Sequence, residues 1–151
     1  MVQQSSLMGT FECSVDNRYR IAIPAKHRRA FEEGVIVSRW LDECLVVAPR
    51  ANWDVMVQDV FGDLDVRNDD QRWLRRYLLA GAYDMDGLDK QGRVVIPPEL
   101  RDRINLETRV KLVGNGDHFE LWNPALIEPK FGEMEREGVS KYGNGRDDIG
   151  N

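Results

Sequence analysis

Asp16-Asn17-Arg18-Tyr19-Arg20-Ile21-Ala22-Ile23-Pro24 returns as Asp89-Lys90-Gln91-Gly92-Arg93-Val94-Val95-Ile96-Pro97, 73 residues further on. The shared pattern is D-x-x-x-R-[IV]-x-I-P. Arg28 and Arg101 stand at the same offset, and after a two-residue insertion Val35-Ile36-Val37 aligns with Val110-Lys111-Leu112. A repeat of this length organises the whole chain. Within each copy Asp opens a turn, because its carboxylate can accept backbone N–H groups two residues on. A short β-branched strand follows and ends at Pro, which cannot donate to a ladder. A short helix comes next (Ala25–Phe31 and Pro98–Ile104), with Pro98 suited to a first helical position. A hairpin closes each half. Its turn is Asn115-Gly116 in the second half and falls near Leu41–Glu43 in the first.

A further strand precedes each turn, at Thr10–Val15 and Ala82–Leu88. Between the halves the spacing predicts two helices. One follows Pro49 with Trp53, Met56, Val57 and Val60 on an apolar face. The other, capped by Asp69 or Asp70, carries Trp73, Leu74, Tyr77 and Leu78. A third helix starts at Pro124, interrupted or delayed by Pro129, and a loose tail begins near Gly138. Four strands per half leave unpaired edges, so the two copies are expected to complete one closed, pseudo-symmetric barrel. The fold class is α+β and mainly β, with peripheral helices. The divisions are repeat one at 8–52, a helical linker at 53–80, repeat two at 81–126, and a C-terminal helix and tail at 127–151.

The chain has 151 residues and a net charge of −5, with 42% hydrophobic residues. That length suits one domain with a core that needs no staple. The acidity argues against nonspecific coating of nucleic acid. The charge is uneven, however. Residues 16–30 carry five cations against one carboxylate, and residues 54–70 six carboxylates against one cation. No apolar run is long enough for a membrane helix, and the first residues lack the basic and apolar regions of a secretory signal. Cys13 and Cys44 are expected to be reduced core residues. Phosphate-binding loops, dinucleotide fingerprints, zinc motifs and nucleophile motifs are missing. The reading is therefore of a protein that is not an enzyme, with no cofactor, metal or small-molecule substrate.

The stretch Met8-Gly9-Thr10-Phe11, the two Asp-to-Pro motifs and Gly81-Ala82-Tyr83-Asp84 resemble the MraZ family, which is built from two AbrB-like repeats. The resemblance covers roughly residues 7–137; Met1–Ser6 precede it. It implies a swapped-hairpin AbrB-like barrel. It also implies a cytoplasmic, nucleoid-associated transcriptional regulator of the division and cell-wall gene cluster. Such a protein binds direct repeats in double-stranded promoter DNA as a ring-shaped homo-oligomer.

Carried over by position, the resemblance makes Arg18, Arg20, Lys90 and Arg93 the DNA-binding residues. Asp16 and Asp89 fix the turns. The family's basic residue two before the final Arg is matched by Arg18; the second copy has Gln91 there, with Lys90 one earlier. Its glycine before that Arg is kept as Gly92 but replaced by Tyr19, which predicts a strained or reshaped first turn. The Arg fork suits phosphate and guanine, yet Arg20 and Arg93 have an alternative role in ion pairs with Asp16 and Asp89. Lys26, Arg28 and Arg29 either follow the DNA backbone or form a solvated face. Arg72, Arg75 and Arg76 are expected to meet the acidic stretch of a neighbouring subunit. The alternative function is an AbrB-like protein-interaction module, antitoxin-like or a scaffold, with no DNA binding of its own.

Overall fold

The computed structural model describes residues 6–143. Eight strands form among the described residues: β1 Thr10–Ser14, β2 Arg20–Ala22, β3 Val35–Arg39, β4 Leu45–Pro49, β5 Tyr83–Met85, β6 Arg93–Val95, β7 Arg109–Gly114 and β8 Phe119–Trp122. The helices are α1 Arg50–Phe61, α2 Asp69–Ala80, α3 Pro98–Arg101, α4 Pro124–Glu137 and α5 Ser140–Gly143, with 3-10 turns at Ala25–Phe31 and Asp102–Ile104. The fold is thus α+β around a large antiparallel sheet.

That sheet has six strands in the order β1-β7-β8-β4-β3-β5, and β2 pairs separately with β6. The two halves exchange their first strands. β1 lies against β7 of the second half (Thr10 opposite Val113), and β5 against β3 of the first (Val35 opposite Met85). The closed barrel expected from the repeat does not form. β2 and β6 span three residues each and end before Pro24 and Pro97. The next donors, Ile23 N and Ile96 N, go to Gly92 O and Tyr19 O across the pseudo-two-fold. Nothing remains to bridge β1 to β5, so both stay edges.

The sheet is buried on both faces, and alternation along the strands decides the layer. Val35, Val37, Leu45 and Val47 face one core with Ile21, Ile23, Val94, Ile96, Leu112, Phe119 and Leu121. Ile36, Val46 and Ala48 face a second core with Met56, Phe61 and Leu78. This two-sided burial explains the unbroken apolar run of β4. Cys13 lies in the first core and Cys44 in the second, both as free thiols. Burial pushes the Cys13 thiol up to about 11 and raises Cys44 further.

Local details differ from the sequence reading. The cap of α2 is Asn68, whose side chain accepts from Gln71 N. α4 runs through Pro129 without a break, although a proline removes one ladder bond, and Asn123 caps its start. α5 occupies part of the expected loose tail; positions 144–151 of that tail, and 1–5 at the other end, lie outside the described residues. The apolar face of α1 is covered: Trp53, Val57 and Val60 pack against the second core. On α2 only Leu78 is buried, while Trp73 is 60% exposed.

Candidate nucleic-acid interface

The two Asp-opened turns have the same backbone. In the first, Asp16 N donates to Arg20 O (3.1 Å) and Tyr19 N to Asp16 O (3.0 Å). In the second, Asp89 N donates to Arg93 O (2.9 Å) and Gly92 N to Asp89 O (2.9 Å). Asp16 Oδ1 accepts from the N–H groups of Arg18 (2.9 Å) and Arg20 (2.8 Å). Asp89 Oδ1 does the same for Gln91 and Arg93, both at 2.9 Å. The second carboxylate oxygen of each takes the Nε of its own arginine, at 2.7 Å for Arg20 and 2.9 Å for Arg93.

The turns also meet each other. Arg20 Nη1 lies 3.8 Å from Asp89 Oδ2, and Arg93 Nη1 lies 3.8 Å from Asp16 Oδ2. Two carboxylates and two guanidiniums therefore form one crossed, internally neutral cluster between the halves. Gln91 Oε1 accepts from Arg93 Nη2 at 2.5 Å, which occupies Arg93 further. Arg18 and Lys90 are exposed, and neither has an ion-pair partner among the described residues. The structure thus brings all six positions together on one face. It separates two locked arginines from two free cations.

The backbone N–H of Arg20, then its guanidinium, hold the Asp16 carboxyl down at about 2; Asp89 is lowered for the same reasons through Arg93. A carboxylate with a depressed folded value contributes stability above its unfolded value, near pH 4, and loses it as pH falls through the folded value. Acid should therefore weaken the wild-type fold between about pH 4 and pH 2 more steeply than it weakens Asp16→Ala/Asp89→Ala. Urea midpoints of the two proteins across that window check this, and equal acid slopes would contradict it.

Tyr19 takes φ 59° and Gly92 takes φ 77°. The first turn is not reshaped; it keeps the glycine geometry and Tyr19 bears the strain. A bulky left-handed residue costs roughly 1–2 kcal/mol. The Arg101 guanidinium lies 3.7 Å from the centre of the Tyr19 ring. An exposed contact of that kind returns about 0.5–1 kcal/mol, so a residual cost stays.

Arg28 and Arg101 hold the turns from behind. Their Nε atoms donate to Ile23 O and Ile96 O, each at 2.8 Å. Arg28 packs on Gly92 where Arg101 packs on Tyr19. Their common offset is the sequence signal for this role. Lys26 lies 5.8 Å from the Phe11 ring, and Arg29 pairs with Glu32 at 3.9 Å.

The basic residues of α2 are engaged within the chain. Arg72 pairs with Asp69 at 3.0 Å and donates to Val66 O. Arg75 and Arg76 stack on Phe61 and Trp73. Arg103, which sequence reasoning passed over, donates to the carbonyls of Trp40, Cys44 and Asp42 and to the Tyr77 hydroxyl, tying the β3–β4 turn to α2 and to the 3-10 turn Asp102–Ile104. No cluster of three or more His, Cys, Asp or Glu able to hold a metal forms among the described residues. No described helix is long and apolar enough to cross a membrane.

The family model described as "MraZ protein, putative antitoxin-like" matches twice, over residues 6–77 and 78–140. A "Transcriptional regulator MraZ" of Roseiflexus castenholzii is 39% identical over 128 residues, covering 85% of this chain and 88% of its own. One of Natranaerobius thermophilus is 31% identical over 142 residues, covering 94% and 95%. The solution structure of PHS018 from Pyrococcus horikoshii overlaps 77% of this chain and 97% of its own at 18% identity, with a TM-score of 0.34, too low to bear on the fold.

Proposed function

The chain belongs to the MraZ family, and on that premise we propose that it is a sequence-specific DNA-binding transcriptional regulator. In this reading the exchanged first strands make the two repeats an AbrB-like swapped-hairpin unit, open at β1 and β5. The chain works in the cytoplasm, on the nucleoid. It reads direct repeats in double-stranded promoter DNA of the division and cell-wall gene cluster, as a ring of identical subunits. It uses no cofactor and transforms no small molecule.

The observation that carries the reading is the face formed by the paired turns. Its centre is neutral, because Asp16 and Asp89 cancel Arg20 and Arg93. Beside that centre stand two exposed cations, Arg18 and Lys90, unpaired among the described residues, and Arg28 and Arg101 add positive charge behind the turns. The body elsewhere is acidic, so this face is where a phosphate backbone meets least repulsion. Arg18 and Lys90 contact DNA directly. Arg20 and Arg93 hold the turns in register and offer their remaining guanidine N–H groups. Asp16 and Asp89 fix the loops. Repeat one (8–52), repeat two (81–126), the helical linker (53–80) and the C-terminal helix and tail (127–151) then divide the work between DNA reading and assembly.

The uncovered side of α2, with Trp73 60%, Leu74 39% and Tyr77 41% exposed, supports a protein contact. We assign it to the neighbouring subunit of the ring. The same face also favours the second reading, a protein-binding module without DNA binding. Titration against a duplex from upstream of the chain's own gene, with a scrambled duplex of equal composition as control, separates the two. The regulator reading expects preferential binding to the first. Equal or absent binding would favour the module.

A further inference from the structure

Tyr19 is the one described residue in the turn face whose conformation is unfavourable and whose side chain is left outside. It sits at φ 59°, 41% exposed, between the free cation Arg18 and the locked Arg20. The second turn reaches the same backbone geometry with Gly92 and no such cost. Arg101 offsets only part of the strain, but it fixes the ring: its guanidinium lies 3.7 Å from the ring centre while its Nε is tied to Ile96 O. The rest of the side chain stays partly open to solvent. The hydroxyl donates to no group among the described residues. At Gly92, by contrast, no side chain stands outward, and the Arg28 guanidinium fills the space that one would take.

Resting on the DNA-binding reading above, we infer that Tyr19 is a DNA-contacting residue of the first turn, its hydroxyl donating to a backbone phosphate oxygen while Arg101 holds the ring in place. Tyrosine is among the side chains that make phosphate contacts, and such contacts set register and orientation. The ring is pre-positioned, so little rotamer freedom is lost on binding. The two turns of one chain then present equal backbones and unequal chemistry. Arg18 and Tyr19 reach out from one, Lys90 and Gln91 from the other, and Gln91 is bonded back to Arg93. A single subunit therefore has a polarity on the duplex, with the first turn making the closer contact. That polarity is what a reader of same-direction repeats requires.

The test is a set of anisotropy titrations of the full chain on the duplex from upstream of its own gene, across a salt series, with thermal midpoints measured in parallel. Tyr19→Phe removes the hydroxyl alone, and Tyr19→Gly also removes the strain. Both should bind about tenfold or more weakly, in line with a hydrogen bond to a charged acceptor. The salt slope should not change, because no charge is removed. Tyr19→Gly should melt no lower than wild type. Arg18→Ala serves as the contrast: weaker binding with a slope lowered by about one unit. If Tyr19→Phe binds like wild type, the hydroxyl contact is wrong. If Tyr19→Gly also binds like wild type while Arg18→Ala does not, Tyr19 is a structural residue and the DNA reading stands without it. If wild type shows no preference for the duplex, the functional reading itself fails, and this inference with it.

Discussion

Duplexes carrying three copies of the target element in the same orientation should bind the chain about 10²–10⁴-fold more tightly than a duplex carrying one. The reason lies in how little charge one subunit offers. Its net charge is −5, and the turn centre is neutralised by the crossed pairs of Asp16, Arg20, Asp89 and Arg93. In the proposed reading a single subunit touches DNA chiefly through Arg18, Tyr19 and Lys90, and so small a contact should be weak at physiological salt. Subunits joined head to tail in a ring repeat the same face with the same polarity. Engaging a second repeat then becomes intramolecular, and the gain follows from effective concentration without new contacts. The faces must also meet the same side of the helix, so repeats should lie about 10–10.5 bp apart. Lengthening the spacer by half a turn should remove most of the gain. One element binding as tightly as three, or indifference to the half-turn insertion, would contradict the multivalent ring.

The largest effect on the fold itself is expected at Phe119. Its side chain is fully buried. It stacks on Phe31 with ring centres 6.4 Å apart and 7° between planes, and it takes the edges of Phe11 and His27 at 6.2 and 5.3 Å. It joins β8, the 3-10 turn after Pro24 and β1, so it sits where the two halves share one core. Phe119→Ala removes the ring and leaves a cavity that rigid strands cannot close, at a cost of about 3–5 kcal/mol. Val55, 60% exposed on α1, is the matching control, and Val55→Ala should change stability by about 0.5 kcal/mol or less. Urea midpoints at equal protein concentration measure both. A loss under about 1 kcal/mol for Phe119→Ala would mean that this core does not hold the halves together.

Much of this architecture is legible in the repeated motif, because its determinants are local. Asp16 and Asp89 bond N–H groups two and four residues away, and Pro24 and Pro97 end their strands through their own chemistry. The common offset marked Arg28 and Arg101 as equivalent, but Arg28 was expected to follow DNA or form a solvated face, and it instead braces Ile23 O as Arg101 braces Ile96 O. Contacts between the halves were not legible in the same way. The crossed ion pairs depend on how β2 meets β6, and the open sheet depends on where Ile23 N and Ile96 N find acceptors. Arg103 left no trace in the sequence, since its partners are mostly backbone carbonyls, which every residue has. The apolar faces of α1 and α2 show the limit of periodicity. Trp53, Met56 and Val60 recur at helical spacing, and so do the pairs Trp73/Tyr77 and Leu74/Leu78, but the sheet covers the first set and only Leu78 of the second is buried. Periodicity states which side chains share a face, and tertiary packing decides what lies against it.

Tyr19 illustrates a related point. The motif predicted trouble at a position where glycine is easier, and the structure resolves it by strain in the residue, leaving the turn unchanged. The two turns are one geometry carrying two chemistries, and this makes them comparable sites within one chain.

In the proposed reading the paired turns are the DNA-binding face. The most direct measurement is the salt dependence of binding to the upstream duplex for wild type and for Arg18→Ala/Lys90→Ala. Neither residue has an ion-pair partner among the described residues, so the pair can be removed without breaking the turns. Thermal midpoints should stay unchanged, binding should weaken, and the salt slope on a single-element duplex should fall by about two units, one for each lost phosphate contact. Affinity and slope equal to wild type would contradict it and move the DNA-binding face away from the Asp-opened turns.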